Sequence, residues 1–128
     1  MPEYSYPGVY VEEIDSGVQP IPGVPTGVSK AMIEEWCLKE LKWVICEPNA
    51  SPSWDRVVQQ LRGYLTPLWV AGALKGRMPE EAFFVKCDQT TMTPVDIHEG
   101  RLICLVGVAL AKPAEFVIFR IQMHLNTP

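Results

Sequence analysis

The chain has 128 residues, with 11 Lys and Arg against 15 Asp and Glu, so its formal net charge is −4. This length suits one modest domain and disfavours a two-domain enzyme with a separate cofactor domain. The composition, 48 % hydrophobic and 20 % charged, is that of a globular protein. No apolar run reaches the ~20 residues that a membrane span needs, and the negative net charge disfavours a basic nucleic-acid binder. We therefore expect no direct contact with nucleic acid and no membrane insertion.

Residues 1–28 differ in composition from the rest of the chain. They hold five of the 12 Pro, four of the nine Gly, four acidic residues and no Lys or Arg. The remaining 100 residues carry 11 acids and 11 bases, so the whole formal net charge comes from the first segment. A segment so rich in Pro and Gly has too few apolar residues for a core of its own. We interpret it as an extended N-terminal arm and linker with no secretory leader.

One strand is predicted within this arm, over residues 8–14, where β-branched and aromatic residues cluster in the run GVYVEEI. A lone strand has unpaired N–H and C=O groups, so it must find a sheet edge. That edge belongs either to the chain's own body or to another subunit.

After the arm, the sequence of residues 29–74 predicts two helices around one strand. Residues 29–40 suit a helix, and the nearly continuous apolar run LKWVIC at 41–46 predicts a central strand. A second helix begins at Ser51 or Ser53 and follows the i, i+3, i+4, i+7 pattern to Leu65. Thr66-Pro67 then predicts a helix that restarts and runs to about residue 74.

The second half predicts three strands and a short helix. The strands cover residues 82–87, 102–110 and 115–123, and the last two should pair antiparallel through the turn at Lys112-Pro113. Thr93 and Pro94 predict a short helix with Thr93 as its N-cap. The predicted fold class is α/β (α+β), a small mixed β-sheet flanked by helices.

The sequence contains only weak candidates for a catalytic or metal-binding site. The cysteines at 37, 46, 87 and 104 lack a CxxC pair and are interpreted as buried free thiols of a reducing compartment. Cys87 and His98 are the only thiol and imidazole close in sequence, and nothing near them predicts a catalytic pair. The two histidines have no metal-ligand spacing. We expect no cofactor, no metal and no enzymatic activity.

Several stretches resemble one family. Residues 2–14 contain PGVYVEE, and the further stretches are WVICEPN at 43–49, EAFFVKCD at 81–88, TTMT at 90–93, GRLIC at 100–104 and KPAEFVIFRI at 112–121. They are similar to the tail sheath proteins of contractile phage tails and related contractile injection systems. Sheath proteins are usually much longer, with protruding domains inserted after the arm. The chain therefore resembles a minimal sheath that lacks the outer domains.

The resemblance implies a structural, homo-oligomeric protein. Stacked rings would form a helical sheath around a tail tube protein, contract to drive the tube through a cell envelope, and meet baseplate and terminator proteins. The expected location is a virion tail assembled in the host bacterial cytoplasm.

The resemblance also implies strand exchange between neighbouring subunits, with a core domain at 29–114 between arms at 1–28 and 115–128. The expected exchange residues are Val9, Tyr10, Val11, Glu12, Ile14, Phe116, Val117, Ile118, Phe119 and Ile121.

By the same resemblance, a helix of the core touches the tube through charged residues. The candidates here are Asp96, His98, Glu99 and Arg101, and the alternative is that these charges simply face solvent. Two other functions stay open, namely a non-contractile tail terminator, collar or capping ring, and a small enzyme of unknown activity.

Overall fold

The computed structural model describes residues 8–14 and 30–125. Its strands are β1 (Gly8–Ile14), β2 (Phe83–Lys86), β3 (Arg101–Ala109) and β4 (Phe116–His124). Its α-helices are α1 (Lys30–Glu40), α2 (Ser51–Val70), α3 (Pro79–Ala82) and α4 (Pro94–His98), with a 3₁₀ helix at Lys42–Cys46. The predicted strands and the two long helices are therefore found within a few residues of their expected bounds, apart from the segment at 41–46.

The four described strands form one sheet in the order β1-β4-β3-β2, and each neighbouring pair is antiparallel. β3 and β4 make the predicted hairpin, in register from the pair Arg101↔His124 to the pair Ala109↔Phe116. The sheet with its helices confirms the predicted α/β (α+β) class, but its described strands are all antiparallel, so the sheet is not mixed as predicted. The proposed division at residues 28 and 114 stays a prediction, and residues 15–29 lie outside the described part.

The hydrophobic core lies between one face of the sheet and the two long helices. Alternation along β3 and β4 directs every second side chain to this face. The fully buried members include Leu102 and Ile121 of the sheet and Ile33 and Leu61 of the helices. The predicted i, i+3, i+4, i+7 pattern of α2 is confirmed, because Trp54, Val57, Leu61 and Leu65 are its buried apolar residues.

Helix α2 continues through Pro67 instead of ending and restarting there. A proline inside a helix has no N–H to donate, so the carbonyl four residues earlier loses its partner. Pro67 and Gly63 are both exposed, and Thr66 donates its hydroxyl to the Arg62 carbonyl at 2.7 Å. Water can therefore satisfy the freed carbonyl, and the helix extends to Val70.

The predicted strand at 41–46 is wrong, because residues 42–46 form a 3₁₀ helix. Val44 is fully buried, while the indole of Trp43 donates to Gln60 Oε1 at 2.7 Å and lies under the Arg56 guanidinium, 4.0 Å from the ring centre. The apolar run therefore reflects the burial of Val44 in the core and the contact of Trp43 with α2. The same geometry turns Cys46 to solvent, so the expectation of four buried thiols is correct only for Cys37, Cys87 and Cys104.

Candidate assembly surfaces

The contact between β1 and β4 brings together the predicted exchange residues. All seven residues of β1 are in register with β4, from Gly8↔His124 to Ile14↔Ile118. β1 is thus the end strand of the sheet, and it pairs with β4 of its own chain. The single chain closes its own β4 edge, and pairing between chains stays a prediction.

Side chains on the core face make this contact hydrophobic. Val9 lies opposite Met123 and Val11 opposite Ile121, and all four are buried. The other predicted exchange residues on this face are Val117 and Phe119, which are also buried. Removing β1 would expose apolar parts of β4, so its edge needs a strand from some source.

The opposite face of the same contact is polar at its centre and apolar at one end. Glu12 accepts a hydrogen bond from Arg120 Nε, and the two residues are register partners. Ile14 lies opposite Ile118, and both are half-buried. Phe116 contacts Phe84 edge to face, with 5.1 Å between ring centres.

Tyr10 and His124 add a ring contact near the start of β1. Their ring centres are 5.4 Å apart at an interplanar angle of 75°. The pKa of His124 is lowered, first because burial disfavours the imidazolium and then because Arg101 carries a like charge nearby. The folded β1–β4 contact therefore favours neutral His124.

Helix α4, which carries the predicted tube-contact residues Asp96 and His98, is fixed by its own cap. The Thr93 hydroxyl accepts from Asp96 N at 3.1 Å, and the Asp96 carboxylate accepts from Thr93 N at 2.8 Å. This reciprocal arrangement confirms Thr93 as the predicted N-cap. Asp96 thus has a structural task within the chain.

Arg101 binds two acidic side chains, one within the helix and one at its end. Its guanidinium Nε donates to Asp96 at 2.8 Å, and Nη1 donates to Glu99. Burial acts to raise the pKa of Asp96, but hydrogen bonds from Thr93 and Arg101 outweigh it, so the pKa is lowered. Hydrogen bonds to Asp96 and Glu99 raise the pKa of Arg101. Of the four predicted contact residues, His98 and Glu99 are exposed, while Asp96 and Arg101 are half-buried.

A buried amide holds α4 against the body. Asn49 Nδ2 donates to the carbonyls of Arg101 at 3.1 Å and Ile97 at 3.4 Å. Its Oδ1 accepts from the Trp54 indole at 2.7 Å. The sequence did not predict these hydrogen bonds of Asn49. Its only sign of them is an asparagine between Pro48 and the start of α2.

Beside α4 lies a shallow open hollow of about 390 Å³. Its lining residues are Gln89, Met92, Pro94, Ile97 and His98. Val95, on the same helix, has 57 % of its surface exposed. The α4 surface therefore offers exposed apolar groups as well as the charged groups that the sequence suggested.

The described residues show neither a metal-holding cluster nor a membrane-spanning helix. Within 8–14 and 30–125, no cluster of three or more His, Cys, Asp or Glu side chains is arranged to hold a metal ion. In the same ranges, no helix combines the length and apolar character needed to cross a bilayer.

Comparison with solved structures relates the fold to a chain of a prophage baseplate. The chain is similar to a chain in the cryo-EM structure of the anti-feeding prophage baseplate, solved with six-fold symmetry, at 39 % identity and a TM-score of 0.60. The similarity covers 69 % of this chain and 25 % of that chain, so the matched part is about a quarter of the baseplate chain. No family model and no curated protein matches.

Proposed function

We propose that the chain is a structural subunit of a contractile tail sheath that polymerises helically around a tail tube. In this proposal, strands β1 and β4 pair between chains, with β1 of one subunit on β4 of its neighbour. Contraction of the polymer drives the tube through a target cell envelope. The role is structural and not catalytic.

The observation that carries the proposal is the form of the β1–β4 contact. β1 makes its whole ladder with β4, and residues 15–29 separate it along the chain from α1. A strand joined to its body by such a segment can pair in the same register with another copy, as in domain swapping. A segment of this length reaches at most about 50 Å when fully extended, which is enough to span to a neighbouring subunit.

Exchange of β1 between chains leaves the contact energy of the β1–β4 pairing nearly unchanged. A pairing within one chain and the same pairing between chains bury the same side chains and make the same backbone hydrogen bonds, each worth about 1 kcal/mol net. Exchange therefore costs little in contact energy and links the subunits into a mesh. Contraction is then a rigid-body rearrangement of subunits while the strands stay paired.

The similarity to a baseplate chain supports a role in a contractile particle. That chain belongs to an anti-feeding prophage baseplate. We propose that this chain likewise works in a phage-tail-like particle assembled in the bacterial cytoplasm, with tube, baseplate and terminator proteins as partners. The six-fold symmetry of that baseplate suggests rings of six subunits.

We place the tube contact at α4. The side chains of His98, Val95 and Glu99 are exposed and face this contact, and Glu99 also accepts a hydrogen bond from Arg101. Asp96 and Arg101 serve instead to hold the helix in place, because they pair with each other.

The second candidate function is a tail terminator, collar or capping ring that uses the same domain without contraction. It is favoured by the similarity to a baseplate chain and by the short span of the match. Such a protein would close one ring and stop, whereas a sheath subunit would add ring upon ring.

Negative-stain electron microscopy of the purified chain mixed with its tube protein separates the two functions. The sheath proposal predicts helical polymers that run along the tube. Single rings at tube ends would support the terminator, and monomers that ignore the tube would contradict both. The chain without tube protein serves as the control for self-assembly.

A further inference from the structure

Two cysteines face each other across the β2–β3 ladder. The last pair of that register is Lys86↔Leu105. One step further along the same antiparallel register places Cys87 opposite Cys104. Directly opposed residues of an antiparallel pair have Cα atoms about 4.5–5.5 Å apart, within the roughly 4.4–6.8 Å that a disulfide requires.

Both side chains point to the core face. Cys104 is fully buried between Leu102 and Val106 of the buried alternation on β3, and Cys87 is 6 % exposed. Burial raises the pKa of the Cys104 thiol well above its usual value, and a hydrogen bond with Cys87 raises it further. This hydrogen bond makes the two sulfur atoms neighbours, and burial disfavours the thiolate of Cys104.

We propose that Cys87 and Cys104 are a redox-sensitive pair that forms a reversible cross-strand disulfide. The bond would join the end of β2 to β3 and close the loop that contains the turn at 88–93 and helix α4. This inference does not depend on the proposed function.

The oxidant would be a low-molecular-weight disulfide such as oxidised glutathione. The thiolate of Cys87, at the end of its strand, attacks one sulfur of the oxidant and releases one glutathione thiolate. The Cys104 sulfur then loses its proton, attacks the Cys87 sulfur of the mixed disulfide and releases the second glutathione. The protein loses two protons and two electrons, and one oxidised glutathione becomes two reduced molecules.

The other two cysteines are poorer partners. Cys37 is fully buried on α1, and burial followed by the nearby charge of Glu34 raises the pKa of its thiol to about 12. It lies on a helix, so no strand register places it opposite Cys104. Cys46 is exposed and would link separate chains, so it is removed in the test.

The test uses the full chain with Cys46→Ser, equilibrated at about pH 8, near the ordinary thiol pKa, in glutathione buffers of graded ratio. One set starts from native protein, and a second set is refolded from urea in the same buffers, so that burial does not limit the rate. Samples are acid-quenched, alkylated and measured by intact mass and tryptic mapping. Arg101 lies between the two cysteines, so trypsin places them on separate peptides unless a disulfide joins them.

We expect loss of two hydrogens and a linked pair of peptides containing Cys87 and Cys104 in both sets. Adding Cys37→Ser should leave the link intact, and adding Cys104→Ser should abolish it. Full alkylation of both thiols at every glutathione ratio in the refolded set, or a link from Cys104 to Cys37, would overturn the proposal.

Discussion

Glu12 of β1 accepts a hydrogen bond from Arg120 of β4, and the two residues are also direct register partners. This ion pair lies on the β1–β4 contact but outside the core, since the Glu12 side chain is 39 % exposed and the Arg120 side chain 44 % exposed. An exposed pair of this kind contributes about 0.2–1 kcal/mol. It can therefore be reversed in charge without unfolding the chain.

Charge reversal at this pair should report whether β1 pairs within or between chains. Glu12→Arg and Arg120→Glu each oppose two like charges, so each variant alone should assemble less well, by roughly 5-fold per contact for about 1 kcal/mol. The double reversal in one chain should assemble normally. Sedimentation of polymer with tube protein measures the effect.

Mixing the two single variants gives the decisive comparison. If strands pair between chains, β1 of the Glu12→Arg variant can lie on β4 of the Arg120→Glu variant. Opposite charges then face each other, so an equimolar mixture should recover assembly. If β1 always pairs with β4 of its own chain, the like charges at positions 12 and 120 still face each other in both variants. The mixture should then assemble no better than the average of the two variants alone. The second result would contradict strand exchange.

Removal of residues 1–14 should separate folding from assembly. The truncation removes Val9 and Val11 from the buried cluster, but its members on α1, α2, β3 and β4 remain, so the truncated chain should be less stable and still keep its helical circular dichroism. It should no longer polymerise, because no subunit can donate β1. Normal helical sheaths formed by the truncated chain in negative-stain images would contradict strand exchange.

Substitutions near α4 should divide residues that hold the helix from those that contact the tube. Asp96→Asn weakens the cap and the Arg101 pair, so it should lower the free energy of unfolding by about 1–2 kcal/mol. Glu99→Lys removes the exposed ion pair with Arg101, so it should lower the free energy of unfolding by only about 0.2–1 kcal/mol, and it should reduce co-sedimentation with tube protein.

Unchanged tube binding by the α4 variants would argue against the tube contact at α4. If Glu99→Lys and His98→Ala both bind tube as the unchanged protein does, α4 faces solvent. Glu80→Lys, an exposed acidic position on α3, serves as the matched control for charge.

His124 should make the β1–β4 contact sensitive to acid. Its pKa is lowered from 6.5 in the folded chain, so neutral His124 contributes stability that is present above pH 6.5. That contribution is lost as the pH falls from 6.5 through the folded pKa, because the unfolded state binds the proton first. Urea unfolding between about pH 7 and pH 5 should show this loss, and His124→Gln should reduce the slope. An equal slope in the variant would assign the effect to other groups.

The sequence predicted most elements because their patterns are local. The β-branched run at 8–14, the periodic apolar positions of α2 and the Thr93 cap each determine a nearby backbone conformation. The segment at 41–46 failed because a short apolar run fits a strand and a buried turn equally well. Only long-range packing distinguishes them, such as the contacts of Trp43 with Gln60 and Arg56 of α2.

The candidate surfaces were harder to derive than the elements. The run at 8–14 shows a strand but not its partner, since β4 of the same chain and β4 of a neighbour offer the same register. At α4, the charges of Asp96 and Arg101 suggested an outward contact, whereas these residues pair with each other. A charge pattern does not reveal which charges are already satisfied within the chain.

The most direct measurement is a cross-link between β1 of one chain and β4 of another. Tyr10 and Gln122 are register partners on the face opposite the core, so cysteines at these positions can form a cross-strand disulfide. Tyr10→Cys and Gln122→Cys are placed in separate chains, each with Cys46→Ser, and are assembled together with tube protein and oxidised.

Strand exchange predicts a cross-linked dimer on a non-reducing gel, formed only in the mixture. A matched mixture of Tyr10→Cys with Ile118→Cys should give none, because Ile118 lies four residues out of register on the same face. Assembled polymer that yields only monomer bands from the Tyr10→Cys and Gln122→Cys mixture would show that each β1 stays on its own chain and would contradict the central claim.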